Sequence, residues 1–222
     1  MRIIDKIKFF IAFMLFMPFL LAFTPDNTDN NNANIVYQHK KNEYSRVTKD
    51  PRIISALDCM VGTTGEYSRN AILGSNVTGR AIRIEFKDLT KFSKAFSTFD
   101  ALGKKKGKQL YIYISTRHYN APPEALGSLL SHEALHQDDF NSKDEETYAW
   151  TFEADVWLQM KKRNPKLESL QSDPFSLITR ENTLGELFVE GNYSDEKIRA
   201  LVESNPAYRD FPQRSPGFDN DD

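Results

Sequence analysis

The sequence predicts an α+β domain, and three observations carry that expectation. Residues 81–86 (AIRIEF) alternate apolar and polar, and residues 110–115 (LYIYIS) are dense in β-branched and aromatic side chains, so both read as strands. Leu89, Phe92, Ala95, Phe96 and Phe99 recur at helical spacing, as do Ala125, Leu126, Leu129, Leu130 and Leu135 further on. The resulting order is strand–helix–strand–helix–helix, followed by short helices broken at Pro165, Pro174 and Pro206.

The elements follow in chain order. Arg2, Lys6 and Lys8 precede an apolar run over residues 9–23. A positive segment ahead of about 15 apolar residues is the layout of a secretory signal, shorter than the roughly 20 that a membrane span needs. Ala22-Phe23-Thr24 is followed by Pro25 and offers no clean cleavage site. Residues 1–23 are therefore a signal peptide or, if uncleaved, a signal anchor tethering the chain to a membrane. Either reading places the protein outside the cytoplasm, secreted or in the cell envelope (periplasmic or extracellular). Residues 24–34 (TPDNTDNNNAN) are polar and aperiodic, a disordered linker. Residues 35–211 are long enough for one domain with a real core, and 212–222 read as a disordered tail. Cys59 is the single cysteine, so no internal disulfide is available, and a buried small hydrophobe is the simplest role for it. A net charge of −2 gives no reason to expect nucleic acid as a partner. Nothing in the sequence sets the oligomeric state.

After the first strand, residues 88–102 carry helical spacing, with Gly103 as the stop. Lys104, Lys105, Lys106 and Lys108 then read as a solvated turn between this helix and the LYIYIS strand. The next helix begins near Pro122-Pro123, with Pro123 tolerated in the first turn and Glu124 near the positive end of the dipole. Its apolar spacing predicts a buried helix of about 14–16 residues.

That helix ends in His132-Glu133-Ala134-Leu135-His136, the H-E-x-x-H pattern. Residues four apart share a helix face, so two imidazoles can converge on one cation. Glu133 stands about 100° around the helix, out of reach of the same ion but able to meet a water beside it, where a general base belongs. A short loop leads to a second helix, implying an antiparallel pair that brings the start of the second helix beside His136. Ser142-Lys143-Asp144-Glu145 reads as a capping box, with Ser142 as N-cap and Glu145 folding back on the cap. Glu146 is then free and is the preferred third ligand, with Glu145 and Glu153 as alternates. Glu153 also suits an acceptor that orients a ligand histidine, or equally a partner for a Lys or Arg. Tyr148, Trp150, Phe152 and Trp157 read as core.

These residues resemble the gluzincins, zinc metallopeptidases of the zincin superfamily that carry HExxH on one helix and a glutamate ligand on the next. Ala149, three residues after Glu146, matches a further feature of that pattern. The resemblance covers residues 122–157. Asp139 and Ser142 occupy the places of the glycine and third histidine of the longer metzincin motif, so that branch is not matched. The short spacing from His136 to Glu146 fits a compact, minimal variety. By resemblance, one Zn2+ is held by His132, His136 and Glu146, Glu133 is the catalytic base, and the substrate is a protein or peptide. The resemblance also implies a zincin-like domain, with a small sheet on the active-site helix, an antiparallel partner helix and a helical C-terminal part. The LYIYIS strand would then line the cleft and pair with extended substrate. Such enzymes use a downstream Tyr or His at the oxyanion; His118, Tyr193 and Tyr208 are candidates by type. The alternative expectation is a non-catalytic envelope binding module with a structural or vestigial zinc site.

Overall fold

The computed structural model describes residues 43–137, 141–170 and 176–214. The signal or anchor segment, the linker and residues 215–222 of the expected tail lie outside the described residues. Within them the architecture is α+β: six α-helices and one three-stranded sheet. Helix α1 spans Pro51–Met60 and α2 Glu66–Leu73. Strands β1 (Arg83–Lys87), β2 (Ala101–Lys106) and β3 (Gln109–Ser115) follow. Then come α3 (Pro123–Glu133), α4 (Lys143–Arg163), α5 (Leu177–Glu190) and α6 (Glu196–Ser204). Among the described residues no helix is long and apolar enough to cross a membrane.

The sheet order is β1-β3-β2, with β1 parallel and β2 antiparallel to β3. Ile84, Leu110, Ile112, Ile114 and Ala101 turn one face of the sheet into the main core, where they join residues of α1 and α3. This is the half-buried alternation expected of a sheet covered on one side. Helix α3 lies between α1 and α4. Gly127 makes the α1 approach feasible, since a Cβ there would stand 2.8 Å from the Ala56 carbonyl oxygen and 3.0 Å from Met160 Cε. A second, smaller core of Ala154, Leu184, Phe188, Ile198 and Val202 glues α4 to α5 and α6.

Helices α3 and α4 are antiparallel, as their short connection requires. His136 beyond the end of α3 meets Glu145 at the start of α4, while Asn164 beyond the end of α4 donates to Glu124 at the start of α3 over 2.7 Å. Trp157 is fully buried between them and the rest of the core, as expected, whereas Tyr148 is exposed.

Three sequence expectations need correction. Residues 88–102 are not one helix. They form two short 3-10 turns, Leu89–Lys91 and Lys94–Thr98, and then enter β2. Asp88 accepts from Thr90 N at 3.0 Å and Ser93 from Ala95 N at 3.2 Å, local side-chain bonds that compete with a continuous helix. Gly103 is therefore a strand residue, and Lys104, Lys105 and Lys106 belong to an edge strand. The turn is confined to Gly107-Lys108, with Gly107 at φ 59°. The third correction concerns LYIYIS. It is a strand, but the central one, with both edges already paired to β1 and β2.

Candidate metal centre

Helix α3 stops at Glu133, shorter than expected at 11 residues, and a turn at Ala134-Leu135 carries the chain to His136. The early stop leaves His136 free to swing onto Glu145, whose Oε1 lies 2.9 Å from His136 Nδ1. With Nδ1 engaged there, Nε2 of His136 faces Nε2 of His132 across 3.1 Å. Ligand atoms around a tetrahedral zinc with bonds of about 2.0–2.1 Å stand about 3.3 Å apart, so this separation suits two donors to one ion. Glu146 completes the group: Oε2 is 3.8 Å from His132 Nε2, and Oε1 is 3.8 Å from His136 Nε2. One ligand atom from each of His132, His136 and Glu146 lies within 4.8 Å of the others, so the group could hold a metal ion.

The donor set also asks for a cation. Glu146 is buried, and its Oε2 has no hydrogen-bond partner. A buried acceptor left unpaired costs about 1–3 kcal/mol, a cost that a bound cation removes. Burial pushes the His136 imidazole down, but the Glu145 hydrogen bond and the charges of Glu146 and Glu133 outweigh it and lift it to about 9. The same carboxylates that hold that proton would hold a metal in its place.

Local sequence explains how α4 delivers its glutamates. Ser142 caps the helix, accepting from Glu145 N at 3.1 Å, as its motif predicts. The other half of the expected box is not formed, because the Glu145 carboxylate goes to His136 instead of the cap. The remaining amide donors of the first turn go elsewhere: Lys143 N and Asp144 N donate to the carbonyls of Pro212 and Gln213 at 2.9 and 3.0 Å. Pro212 and Gln213, assigned to a tail by composition, thus dock on the helix that carries Glu146.

Glu153 stands beside His132 and pairs with an arginine. Its Oε2 lies 3.1 Å from His132 Nδ1, close enough for a charge contact, although the ring N–H is not aimed well enough to form a hydrogen bond. Both its oxygens are gripped by Arg180 of α5, at 2.6 and 2.8 Å. Burial pushes the Glu153 carboxyl up, but Arg180 and His132 outweigh that and hold it at about 2. Glu181, next to Arg180, is raised well above the carboxylate range, first by burial and then by the Glu153 charge. Ser128 of α3 donates to Glu181 at 2.8 Å. Arg180 also reaches Asp100 at 3.3 Å. Sequence reasoning did not find Arg180, Glu181 or Asp100, because no motif links residues so far apart in the chain.

The metal group opens into a cavity of about 410 Å³ whose walls include Glu133, Gly103, Tyr208 and Phe211. Gly103 of the edge strand lies so close to Glu133 that a Cβ there would be 3.9 Å from Oε2. The edge beside the site therefore belongs to β2, not to the LYIYIS strand. Glu133 lies above its ordinary value, chiefly through burial, which exceeds the opposing pull of His132 and His136. A further recess of about 290 Å³ shares His132, Glu133 and Tyr208 and continues past Leu129 to Trp150, so Trp150 faces this recess rather than serving only as core.

The oxyanion candidates separate cleanly. Tyr208 lines the cavity, and burial together with the adjacent Glu146 carboxylate keeps its phenol protonated well beyond the usual range. His118 is buried elsewhere, bound to Asp100 at 2.6 Å and touched by Arg117. Tyr193 is 65% exposed and packs on Phe188, away from the cavity. Neither reaches the site. Compared with known proteins, the chain matches no protein family, no curated protein and no solved structure.

Proposed function

We propose that this protein is an exported zinc-dependent hydrolase of peptide bonds, a compact gluzincin-like metallopeptidase. The single observation that carries the reading is the convergence of His132, His136 and Glu146 at a cavity that also holds the carboxylate of Glu133. His132, His136 and Glu146 would hold the ion. When bound, zinc would polarise a scissile carbonyl and acidify a water. Glu133 accepts the proton of the attacking water and returns it to the leaving amine, a task suited to a carboxyl raised by burial. Tyr208, kept protonated, donates to the oxygen on which charge develops. Glu145 orients the His136 imidazole from behind, and Glu153 lies beside the His132 ring. The free edge of β2 beside Glu133 supports an extended substrate, since an unpaired strand edge offers main-chain donors and acceptors. The positively charged, then apolar N-terminus supports export.

The test is metal content and peptidase turnover of the protein beside His132→Ala, Glu146→Ala and Glu133→Gln. The expected result is loss of zinc in the first two, and retained zinc without turnover in the third. Turnover by Glu133→Gln at the wild-type rate would remove the mechanism. Tightly held zinc with no turnover of any peptide by the unmodified protein would favour a non-catalytic envelope module.

A further inference from the structure

A second cavity lies apart from the metal centre, with a different chemistry. It has a volume of about 540 Å³, and among the described residues its walls carry Arg46, Lys49, Arg80 and Arg83 but no Asp or Glu. Three chain segments build it. Ile84 N donates to the Val47 carbonyl at 3.0 Å, pinning residues 45–49 to the outer edge of β1. Gln109, at the start of β3, donates through Nε2 to the Ala81 and Leu110 carbonyls at 2.8 and 2.9 Å, fixing the approach to β1. Gly79 turns the chain there at φ 63°, with open space where a Cβ would stand. The walls are thus held by backbone bonds and Gln109, while the four cationic heads take no part in holding them.

Those heads are also unspent. Among the described residues, none of Arg46, Lys49, Arg80 and Arg83 makes an ion pair or a side-chain hydrogen bond. By contrast, Arg52, Arg69, Arg117, Arg180 and Arg199 each meet a carboxylate at 2.5–2.7 Å. A chain of net charge −2 has carboxylates to spare, yet none among the described residues lines this cavity. Like charges gathered without a counter-charge repel one another, and an anion that brings several oxygens at once relieves this best. Guanidinium groups match the paired oxygens of a phosphate bidentately.

We propose that this cavity is a binding site for a phosphate-bearing anion. It lies at the first described residues of the chain. A lipid headgroup and a soluble phosphate would present the same chemistry to the four cations. The site is independent of the metal reading, since it shares no residue with that centre.

Two measurements on the full chain decide between the sources. In the first, inorganic phosphate is titrated into the protein, the His132→Ala variant and an Arg80→Glu/Arg83→Glu variant. In the second, the same proteins are sedimented with vesicles of phosphatidylcholine alone or mixed with phosphatidylglycerol. Saturable phosphate binding that survives His132→Ala, and that weakens about tenfold or more in the double variant and in about 0.5 M salt, supports a soluble ligand. Extra sedimentation with phosphatidylglycerol that the double variant loses, without saturable phosphate binding, supports a headgroup. Equal behaviour of wild type and double variant in both assays overturns the proposal. Should the double variant lose its circular-dichroism spectrum, Arg46→Ala/Lys49→Ala is read by the same criteria.

Discussion

Arg180 grips Glu153 with two parallel hydrogen bonds of 2.6 and 2.8 Å, and Glu153 faces the ring of His132 with its Oε2 3.1 Å from Nδ1. A residue of α5 thereby controls the charge behind a candidate ligand on α3. The carboxylate is fully buried and Arg180 is 21% exposed, so removing the cation strands an ion in a dry place. Arg180→Met should cost about 3–5 kcal/mol of stability, the range for breaking a buried pair from one side. Chemical denaturation checks it; a loss below about 1 kcal/mol would show that Glu153 is solvated or neutral.

Asp100 makes a pH prediction. Burial raises its carboxyl, but His118, Arg180 and Arg117 outweigh burial and depress it below its ordinary 3.8. A depressed carboxyl contributes stability that is complete above its unfolded value and is lost as pH falls through the folded one. Asp100→Asn should therefore cost about 1–2 kcal/mol near pH 7, discounted for partial exposure. The difference from wild type should shrink only below 3.8. Denaturation curves across that range test it, and a gap that widened in acid would reverse the assigned sign.

Glu145 engages His136 Nδ1 at 2.9 Å and leaves Nε2 to face the site. Acceptors of this kind typically change metal affinity 10–100-fold, so Glu145→Gln should bind zinc about tenfold more weakly while keeping the fold. Competition with a chromophoric chelator measures it. Unchanged affinity would mean that the hydrogen bond does not orient the ring once metal is present.

Tyr208→Phe separates binding from chemistry. The ring packs against Trp150 and Phe211 and should stay in place without its hydroxyl. Metal content should be unchanged while kcat falls about 10²-fold or more, the scale for losing one oxyanion donor. An unaltered kcat would leave Tyr208 only a wall of the cavity.

How much was legible in the sequence follows from how local each signal is. The Ser142 cap and the grouping of His132, His136 and Glu146 were readable from local motifs, although His136 lies past the end of α3 and reaches the group through a turn, and Glu145 is drawn to His136 instead of the cap. The central position of LYIYIS was not, since strand order is set by pairing partners that no single strand encodes. The false helix at 88–102 shows spacing outvoted by local polar bonds at Asp88 and Ser93. Arg180, Asp100 and the docking of Pro212 are products of tertiary packing and left no pattern to read. Tyr208 could be picked only by residue type, alongside His118 and Tyr193, and the cavity wall alone sets it apart.

The docking of Pro212 and Gln213 on the first turn of α4 has a consequence in time. The segment that satisfies that turn also carries Tyr208 and Phe211 to the cavity, and it is made long after α3 and α4. During synthesis the helices that carry His132 and Glu146 can pair while one wall of the cavity is still missing. The cavity is therefore closed on that side only after residues 208–213 have been made.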